Sequence, residues 1–207
     1  MRLICISDTH GLHADLQLPD GDLLLHAGDL SKRGTREQLT DFFSWFEAQP
    51  HPYKVCIAGN HDFLAENHPN AFQQMIPDNC TYLEDSGVEI EGIRIWGSPI
   101  TPWFFDWAFN RRRGAEIRKY WEQIPANTDI LLTHGPPLGA GDMTFHGQAA
   151  GCKDLREIIE LHQPRFHFFG HIHEAVGESL IGATRCINVC SVNLKYQLVH
   201  EPVVIDW

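Results

Sequence analysis

The chain has 207 residues, of which 43% are apolar and 21% charged, and these values exclude collagen-like, coiled-coil and wholly disordered classes. A chain of this length can bury about 70% of its unfolded surface, so we expect one domain over residues 1–207. The 16 basic and 27 acidic residues give a net charge of −11. This charge argues against a stable nucleic-acid complex, which needs clustered Lys and Arg.

The six cysteines show no pair with the spacing of a zinc knuckle or a thioredoxin-like redox site. Cys5 and Cys56 lie in apolar runs, so we expect reduced core thiols and a cytoplasmic location. The apolar run of residues 3–6 stops before Asp8 and is too short for a secretory signal. No apolar stretch reaches the roughly 18 residues that a membrane span needs, so no membrane partner is expected. The oligomeric state is left open.

Five short apolar runs predict buried strands. They are residues 2–7, 22–27, 53–58, 129–133 and 165–169. Because the runs are nearly continuous rather than alternating, they are typical of sheets covered on both faces. Residues 81–98 show short alternating strands with Gly87 and Gly92 as turn signals, and residues 184–206 also look rich in strands.

Apolar residues with helical spacing fall between these runs. Thr35 and Gln38 have the spacing of a capping box at the start of the first stripe. The core-facing residues of the three stripes are Leu39, Phe42, Phe43 and Phe46; Ile117, Tyr120, Trp121 and Ile124; and Leu155, Ile158 and Ile159. The pattern predicts an α/β fold in which a two-sheet β-sandwich is flanked by helices.

Each predicted strand is followed by side chains that can bind metals, and in open α/β sheets ligands bind at the carboxyl ends of strands. The candidate metal ligands are Asp8, His10, Asp29, Asn60, His134, His171 and His173. Seven groups are too many for one tetrahedral zinc and indicate two ions of higher coordination. Nitrogen and oxygen donors without thiolate favour Mn, Fe or Zn over Ca. Glycines beside four of these residues are expected to permit sharp turns and close approach.

Taken singly these motifs are weak, since Gly-Asp is more often a turn and a lone histidine is more often structural. Their order is more specific. D-x-H, GD, GNH followed by Asp62, HG and GHxH resembles the calcineurin-like metallophosphoesterase family over residues 8–173. The similarity is to the branch of small brain metallophosphoesterase-domain proteins and their bacterial relatives.

The resemblance implies a role for each matched residue. Asp8, His10 and His173 would hold a first metal, and Asn60, His134 and His171 a second, with Asp29 bridging both. His61 would be a catalytic residue that is not a ligand. Asp62 stands where many family members carry Glu, which bears on the positioning of His61.

The implied function is a metal-dependent phosphoesterase, above all a phosphodiesterase, with two divalent or trivalent transition-metal ions as cofactors. A hydroxide bridging the two metals would attack phosphorus in line, and protonated His61 would donate to the leaving alkoxide. The partner would be a small phosphate ester, with cyclic nucleotides among the candidates. A phosphomonoesterase and a non-catalytic scaffold remain as alternatives, although a scaffold would usually lack some of these ligands.

Four features are left with two interpretations each. His26 is either a hydrogen-bonded core residue or a residue that orients a ligand, and residues 111–113, three arginines, are a solvated helix start or a phosphate clamp. The aromatic cluster of Trp103, Phe104, Phe105 and Trp107 is expected to be buried, with a wall against a nucleobase as the alternative. Residues 139–151 predict a flexible loop that could cover the site.

Overall fold

A computed structural model of the chain describes all of residues 1–207 and contains thirteen strands, five α-helices and two short 3-10 helices. The strands are β1 Arg2–Ile6, β2 Leu23–Ala27, β3 Tyr53–Ile57, β4 Thr81–Tyr82, β5 Ser86–Ile90, β6 Ile93–Ser98, β7 Thr101–Pro102, β8 Asn110–Arg111, β9 Ile130–Thr133, β10 Phe166–Phe169, β11 Gly177–Ile181, β12 Thr184–Asn188 and β13 Val203–Asp206. The helices are α1 Arg36–Glu47, α2 Phe63–Asn67, α3 Pro69–Gln73, α4 Ala115–Trp121 and α5 Lys153–His162. None of the helices is long and apolar enough to cross a membrane.

Two sheets form the centre of the fold. The first has the strand order β13-β1-β2-β3-β4, and the second has the order β11-β12-β10-β9-β6-β5. Strands β1 to β4 run parallel in the first sheet, as do β6, β9, β10 and β12 in the second. Antiparallel strands stand at three edges, namely β13, β11 and β5. Parallel neighbours bring their carboxyl ends to the same edge of each sheet.

Alternate residues of the central strands enter two apolar clusters. The cluster shared by the two sheets contains Leu25 of β2 and Leu132 of β9. The other cluster contains Leu24 of β2 and Leu131 of β9, together with Phe42 of α1 and side chains of α4 and α5. Both faces of these strands are therefore buried, which explains their nearly continuous apolar sequence. The predicted α/β sandwich with flanking helices is confirmed.

The five predicted buried strands are all present, with ends that differ from the prediction by one residue at most. Helix α1 begins after Thr35, whose hydroxyl accepts a hydrogen bond from Gln38 N at 3.3 Å. The reciprocal half of the capping box does not form, because Gln38 Oε1 accepts from Arg33 N at 2.9 Å.

Two details of the sequence interpretation were wrong. Gly92 does lie in the turn between β5 and β6, with φ of +79°, but Gly87 lies inside β5. Residues 189–202 form turns and single bridges rather than strands, although they follow β12 and precede β13. Strand β11 was not predicted, because its five residues carry too few apolar side chains to stand out.

One buried histidine of β10 makes the stability of the fold depend on pH. His167 is fully buried, and its Nε2 lies 2.8 Å from the hydroxyl of Thr133. That hydroxyl donates to Gly135 O at 2.7 Å, so it accepts from Nε2–H of a neutral His167. Burial lowers the pKa of His167 to about 3.

We predict that His167→Gln reduces the pH dependence of the free energy of unfolding. An unfolded chain takes up a proton at this histidine below about pH 6.5, whereas the folded chain does not, so stability falls as the pH drops from about 6.5 towards 3. In His167→Gln, about one proton fewer is taken up on unfolding. The slope of the free energy of unfolding against pH should therefore fall by about 1.4 kcal/mol per pH unit. Urea denaturation of metal-free protein across this range measures it. The exposed His68 offers a control as His68→Gln, and an unchanged slope in His167→Gln would contradict the argument.

Candidate metal centre

The carboxyl ends of β1, β2 and β3 in one sheet meet those of β9 and β10 in the other. Within the first sheet, Asp8 N donates to Gly28 O at 2.9 Å. Between the sheets, His134 Nδ1 lies 3.0 Å from Ala27 O. All eight residues predicted for the site are brought together at this edge, namely Asp8, His10, Asp29, Asn60, His61, His134, His171 and His173.

Four of these side chains form a first group. His10 Nε2 lies 3.2 Å from His173 Nε2, and His173 Nε2 lies 3.2 Å from Asp8 Oδ1. Asp29 Oδ2 closes the group at 3.6 Å from His10 Nε2. All four are buried. Two imidazole nitrogens that face each other at this distance cannot both carry a proton, so their arrangement suits lone pairs that converge on a cation.

A second group lies beside the first and shares Asp29. His134 Nε2 lies 3.3 Å from Asp29 Oδ2 and 2.9 Å from Asn60 Oδ1. The His171 ring stands edge-on to His134, with ring centroids 5.1 Å apart, and the backbone N–H of His171 donates to Asp8 Oδ2 at 3.0 Å. Asp29 therefore takes part in both groups, as expected of a shared ligand.

Hydrogen bonds behind the centre orient its histidines. The Nδ1–H of His134 donates to Ala27 O, which directs the Nε2 atom at the centre. His26 accepts from Gly28 N at 3.3 Å through Nδ1, so its Nε2–H donates to the hydroxyl of Thr9 at 3.0 Å. Burial lowers the pKa of His26 to about 3. His26 is thus a hydrogen-bonded core residue that also joins the loops after β1 and β2.

Four of the predicted ligands have a backbone conformation that favours glycine. The φ angle is +53° at Asp8, +45° at His10, +55° at Asp29 and +70° at His171. In a residue other than glycine, such a conformation costs about 1–3 kcal/mol and persists only where the surroundings hold it. Four of the ten non-glycine residues with positive φ are thus predicted ligands, which is consistent with a backbone held in place to present them.

Close packing around the centre requires glycine at three positions, one of which is Gly170, where a Cβ atom would overlap the carboxylate of Asp8. Gly28 has φ of +97°, and a Cβ atom there would lie 2.6 Å from His134 Nδ1. A Cβ atom at Gly59 would overlap the carboxylate of Asp29. Gly135 has ordinary contacts and no positive φ, so the expectation that it serves the same purpose was wrong.

The centre favours positive charge. Neither Asp8 nor Asp29 pairs with a Lys or Arg, since their ion-pair partners are all histidines. Burial raises the pKa of each carboxyl, but the hydrogen bond from His173 holds the pKa of Asp8 well below its usual range, and the charge of His134 does so for Asp29. Burial lowers the pKa of His134, yet the Asp29 carboxylate raises it to about 9.

The donor set fits a bound metal. Three sets of three donors lie within 4.8 Å of one another, namely Asp8, His173 and Cys190; His10, Asp29 and His61; and Asp8, Asp29 and His134. Histidine nitrogen and carboxylate oxygen are typical ligands of Mn, Fe and Zn. The facing nitrogens of His10 and His173 fit such an ion as well, since both can offer lone pairs to a cation.

Comparison with known proteins decides the family. The profile described as calcineurin-like phosphoesterase matches residues 1–175. Metallophosphoesterase domain-containing protein 1 of Homo sapiens is 41% identical over 233 residues, covering 99% of this chain and 70% of that protein. The chain belongs to the calcineurin-like phosphoesterase family. The resemblance read from its motifs is confirmed, and the family is one of metal-dependent phosphoesterases.

Two further matches place the chain within this family and fold. A probable cyclic nucleotide phosphodiesterase of Synechococcus sp. is 29% identical over 161 residues, covering 74% of this chain and 58% of that protein. The crystal structure of TT1561 of Thermus thermophilus superposes with a TM-score of 0.61 at 14% identity, covering 90% of this chain and 88% of that one. The second match concerns the fold alone.

His61 has surroundings unlike those of the predicted ligands. Its backbone N–H donates to Asp29 Oδ1, and its Nδ1–H donates to Lys32 O, both at 2.8 Å. The Nε2 atom is thereby directed at the centre, 4.0 Å from Asp29 Oδ2. Trp107 stacks on the ring with centroids 4.3 Å apart. The side chain is 13% exposed, so it lines the opening of the site.

The aromatic cluster is not buried, contrary to expectation. Trp103 is 54% exposed and Phe105 is 82% exposed. Phe104 stands edge-on to His171 at 4.9 Å between centroids, and Trp107 lies against His61. The cluster therefore forms one side of the opening, because its loop lies over the edge where the two sheets meet.

The three arginines at 111–113 include two that make structural hydrogen bonds. Arg111 donates to Glu66 and to the hydroxyl of Tyr120, each at 2.9 Å. Arg113 donates to the carbonyl oxygens of Ala150 and Gly151, each at 2.6 Å. These two guanidinium groups form hydrogen bonds to neighbouring segments, including the end of the 139–151 loop. The phosphate-clamp interpretation therefore does not hold for them.

Asp62 has a larger role than the sequence suggested. Its carboxylate is fully buried and accepts hydrogen bonds from Leu30 N, Gly59 N, Ser31 N and the Ser31 hydroxyl at 2.8–3.1 Å. It therefore joins the loop after β2, which carries Asp29, to the loop after β3. Burial raises its pKa to about 6, with a further contribution from the charge of Asp29. It does not determine the orientation of the His61 ring, which other groups hold.

Two residues near the centre were missed. Cys190 Sγ–H donates to Asp8 Oδ2 at 3.1 Å. Tyr196 stands edge-on to His10, with centroids 4.8 Å apart, and is 45% exposed. Both lie in the irregular segment after β12, where no strand or helix pattern indicates direction. Residues 187–193 also resemble the family, but that resemblance assigned no role to Cys190 and does not reach Tyr196.

We predict that Asp62→Asn destabilises the protein by about 2–4 kcal/mol, because the amide cannot accept all four hydrogen bonds and its NH2 group faces donors. Urea denaturation measures the loss. The exposed Asp78 provides a control, and Asp78→Asn should change stability by less than about 0.5 kcal/mol. Equal stability of Asp62→Asn and the unmodified protein would show that the two loops are held by other contacts.

Proposed function

We propose that residues 1–207 form one catalytic unit, a dinuclear metal-dependent phosphodiesterase that hydrolyses small phosphate esters. One observation carries the proposal. Two buried carboxylates, Asp8 and Asp29, face histidines and no Lys or Arg. A non-catalytic scaffold has no need for such a centre, nor for the strained backbone that presents it.

We assign the ligands as the family pattern implies. Asp8, His10 and His173 would hold one ion, Asn60, His134 and His171 would hold the other, and Asp29 would contribute to both. When bound, such ions supply Lewis acidity that lowers the pKa of water and neutralises charge on the phosphate oxygens. Divalent or trivalent Mn, Fe and Zn suit the donors, with Mn as the first ion to test.

His61 acts as the general acid in this proposal. Because Nδ1–H is held by Lys32 O, the Nε2 atom is the one available to the substrate. A proton on Nε2 passes to the leaving oxygen as its bond to phosphorus breaks. Trp107 keeps the ring in one plane by stacking, and Asp29 Oδ1 fixes the backbone N–H. The imidazole is thereby positioned before substrate arrives.

Preference for a diester is supported by the space beside His61. A cavity of about 740 Å³ opens there and is partly lined by Phe63 and Trp107, so a bulky leaving group can be accommodated. The Synechococcus relative is named as a probable cyclic nucleotide phosphodiesterase. Cyclic nucleotides are therefore the substrates we propose to test first, with phosphomonoesters as the alternative.

The cysteines support a cytoplasmic location as part of the proposal. All six are free and buried. A protein of an oxidising compartment commonly pairs such residues in disulfides. The acidic net charge of −11 agrees with a small-molecule partner rather than a nucleic acid.

We predict that His61→Gln lowers kcat by about 10²–10⁴ on esters with a poor leaving group, because the general acid is lost. The loss should be smaller on bis(p-nitrophenyl) phosphate, since nitrophenolate leaves without needing a proton. Steady-state kinetics of Mn-loaded protein on this diester and on 2′,3′-cyclic AMP measures both. p-Nitrophenyl phosphate tests the monoester alternative.

The exposed His68 provides the matched control, and His68→Gln should retain kcat on both diesters. Equal loss on the two diesters in His61→Gln would contradict proton donation by His61. Turnover of the monoester alone would contradict the phosphodiesterase proposal.

A further inference from the structure

The cavity beside His61 combines two kinds of side chain. Lys32 and Arg33 line one part of it, and Phe63, Trp107 and Tyr196 line another. None of these five residues is among the predicted metal ligands. The cavity therefore differs from the metal centre in that cationic and aromatic side chains line it together.

The two cations have no acidic partner. Both Lys32 and Arg33 are exposed, and neither forms an ion pair within 4.0 Å, although the chain carries a net charge of −11. Their backbone is fixed, since Lys32 O accepts from His61 Nδ1–H and Arg33 N donates to Gln38 Oε1 at 2.9 Å. Two unpaired positive charges are thus held beside the site.

The aromatic rings provide flat apolar surface next to these charges. Trp107 and Phe63 have centroids 5.8 Å apart and planes inclined by 30°. Tyr196 is held by a tight turn, in which its N–H donates to Asn193 O at 2.9 Å, and its ring centroid lies 6.4 Å from that of His61. Planar groups bind such surfaces by stacking.

We propose that this cavity is a leaving-group subsite for an ester whose leaving group carries both an aromatic ring and a second anionic group, such as a nucleoside with a phosphate besides the scissile one. The inference rests on the proposed function, because a general acid at His61 places the leaving oxygen on its side of the centre. The scissile phosphate belongs to the metal centre, whose carboxylates pair with no Lys or Arg. Lys32 and Arg33 are therefore free for a second anion.

Binding of two substrate analogues, in which the scissile phosphate is still attached to the nucleoside, tests the subsite without requiring turnover. Isothermal titration of Mn-loaded protein should show adenosine 3′,5′-bisphosphate binding about tenfold more tightly than adenosine 3′-monophosphate. The double variant Lys32→Met/Arg33→Gln should reduce this preference to less than about twofold, and added salt should weaken it in the unmodified protein because the pocket is open to solvent.

The control removes the same charge elsewhere. Arg2→Gln/Lys119→Met changes two cations that do not line the cavity, one at the start of β1 and one in α4, and should keep the tenfold preference. Trp107→Leu should weaken both nucleotides by a similar factor of about tenfold, because each carries the same base. The preference for the bisphosphate should survive in that variant.

Three results would overturn the subsite: equal affinity for the two nucleotides, a preference that survives in Lys32→Met/Arg33→Gln, or no binding of either nucleotide at millimolar concentration. Failure of the proposed function looks different. If no diester is hydrolysed with any metal while the preference holds, the subsite stands and the phosphodiesterase proposal falls. If turnover is normal and the preference is absent, the subsite alone is wrong.

Discussion

The carboxylate of Asp29 lies where the two sheets meet, and it is buried without a Lys or Arg partner. Burying an unpaired carboxylate costs several kcal/mol, so the surrounding structure must supply positive charge. His134 from the second sheet does so, because the Asp29 carboxylate raises its pKa to about 9, and the backbone N–H of His61 donates to the same carboxylate. Histidine differs from Lys in that it can give up its proton and offer a lone pair to a metal. The same groups that compensate the carboxylate are therefore suited to bind cations.

The buried strands and the convergence of the predicted ligands could be inferred from the sequence because two simple rules apply. Nearly continuous apolar runs indicate strands buried on both faces, and the polar residues that follow parallel strands gather at one edge. Asp8 follows β1, Asp29 follows β2 and His134 follows β9, so their convergence required no knowledge of loop shape. The order of the motifs then indicated the family, which the comparisons confirm. The assignment of individual ligands remains a prediction.

The remaining features depend on where irregular segments lie, which local patterns do not encode. Asp62 looked like a neighbour of His61, whereas its carboxylate joins two loops that are about 30 residues apart in the chain. Trp107 and Tyr196 come from distant loops, and both lie near the His61 ring, with centroids 4.3 Å and 6.4 Å from it. Aromatic residues are usually buried, so their exposure at the opening could not be foreseen. The predicted ligands thus come from strand ends, whereas the side chains around the opening come from loops.

Counting the ions bound by the chain tests the central claim most directly. After equilibrium dialysis against Mn²⁺, elemental analysis should find about two ions per chain in the unmodified protein and fewer than one in Asp29→Asn, while Asp78→Asn, altered on the surface, should keep both. At most one ion in the unmodified protein, or two in Asp29→Asn, would contradict a centre built on a shared carboxylate.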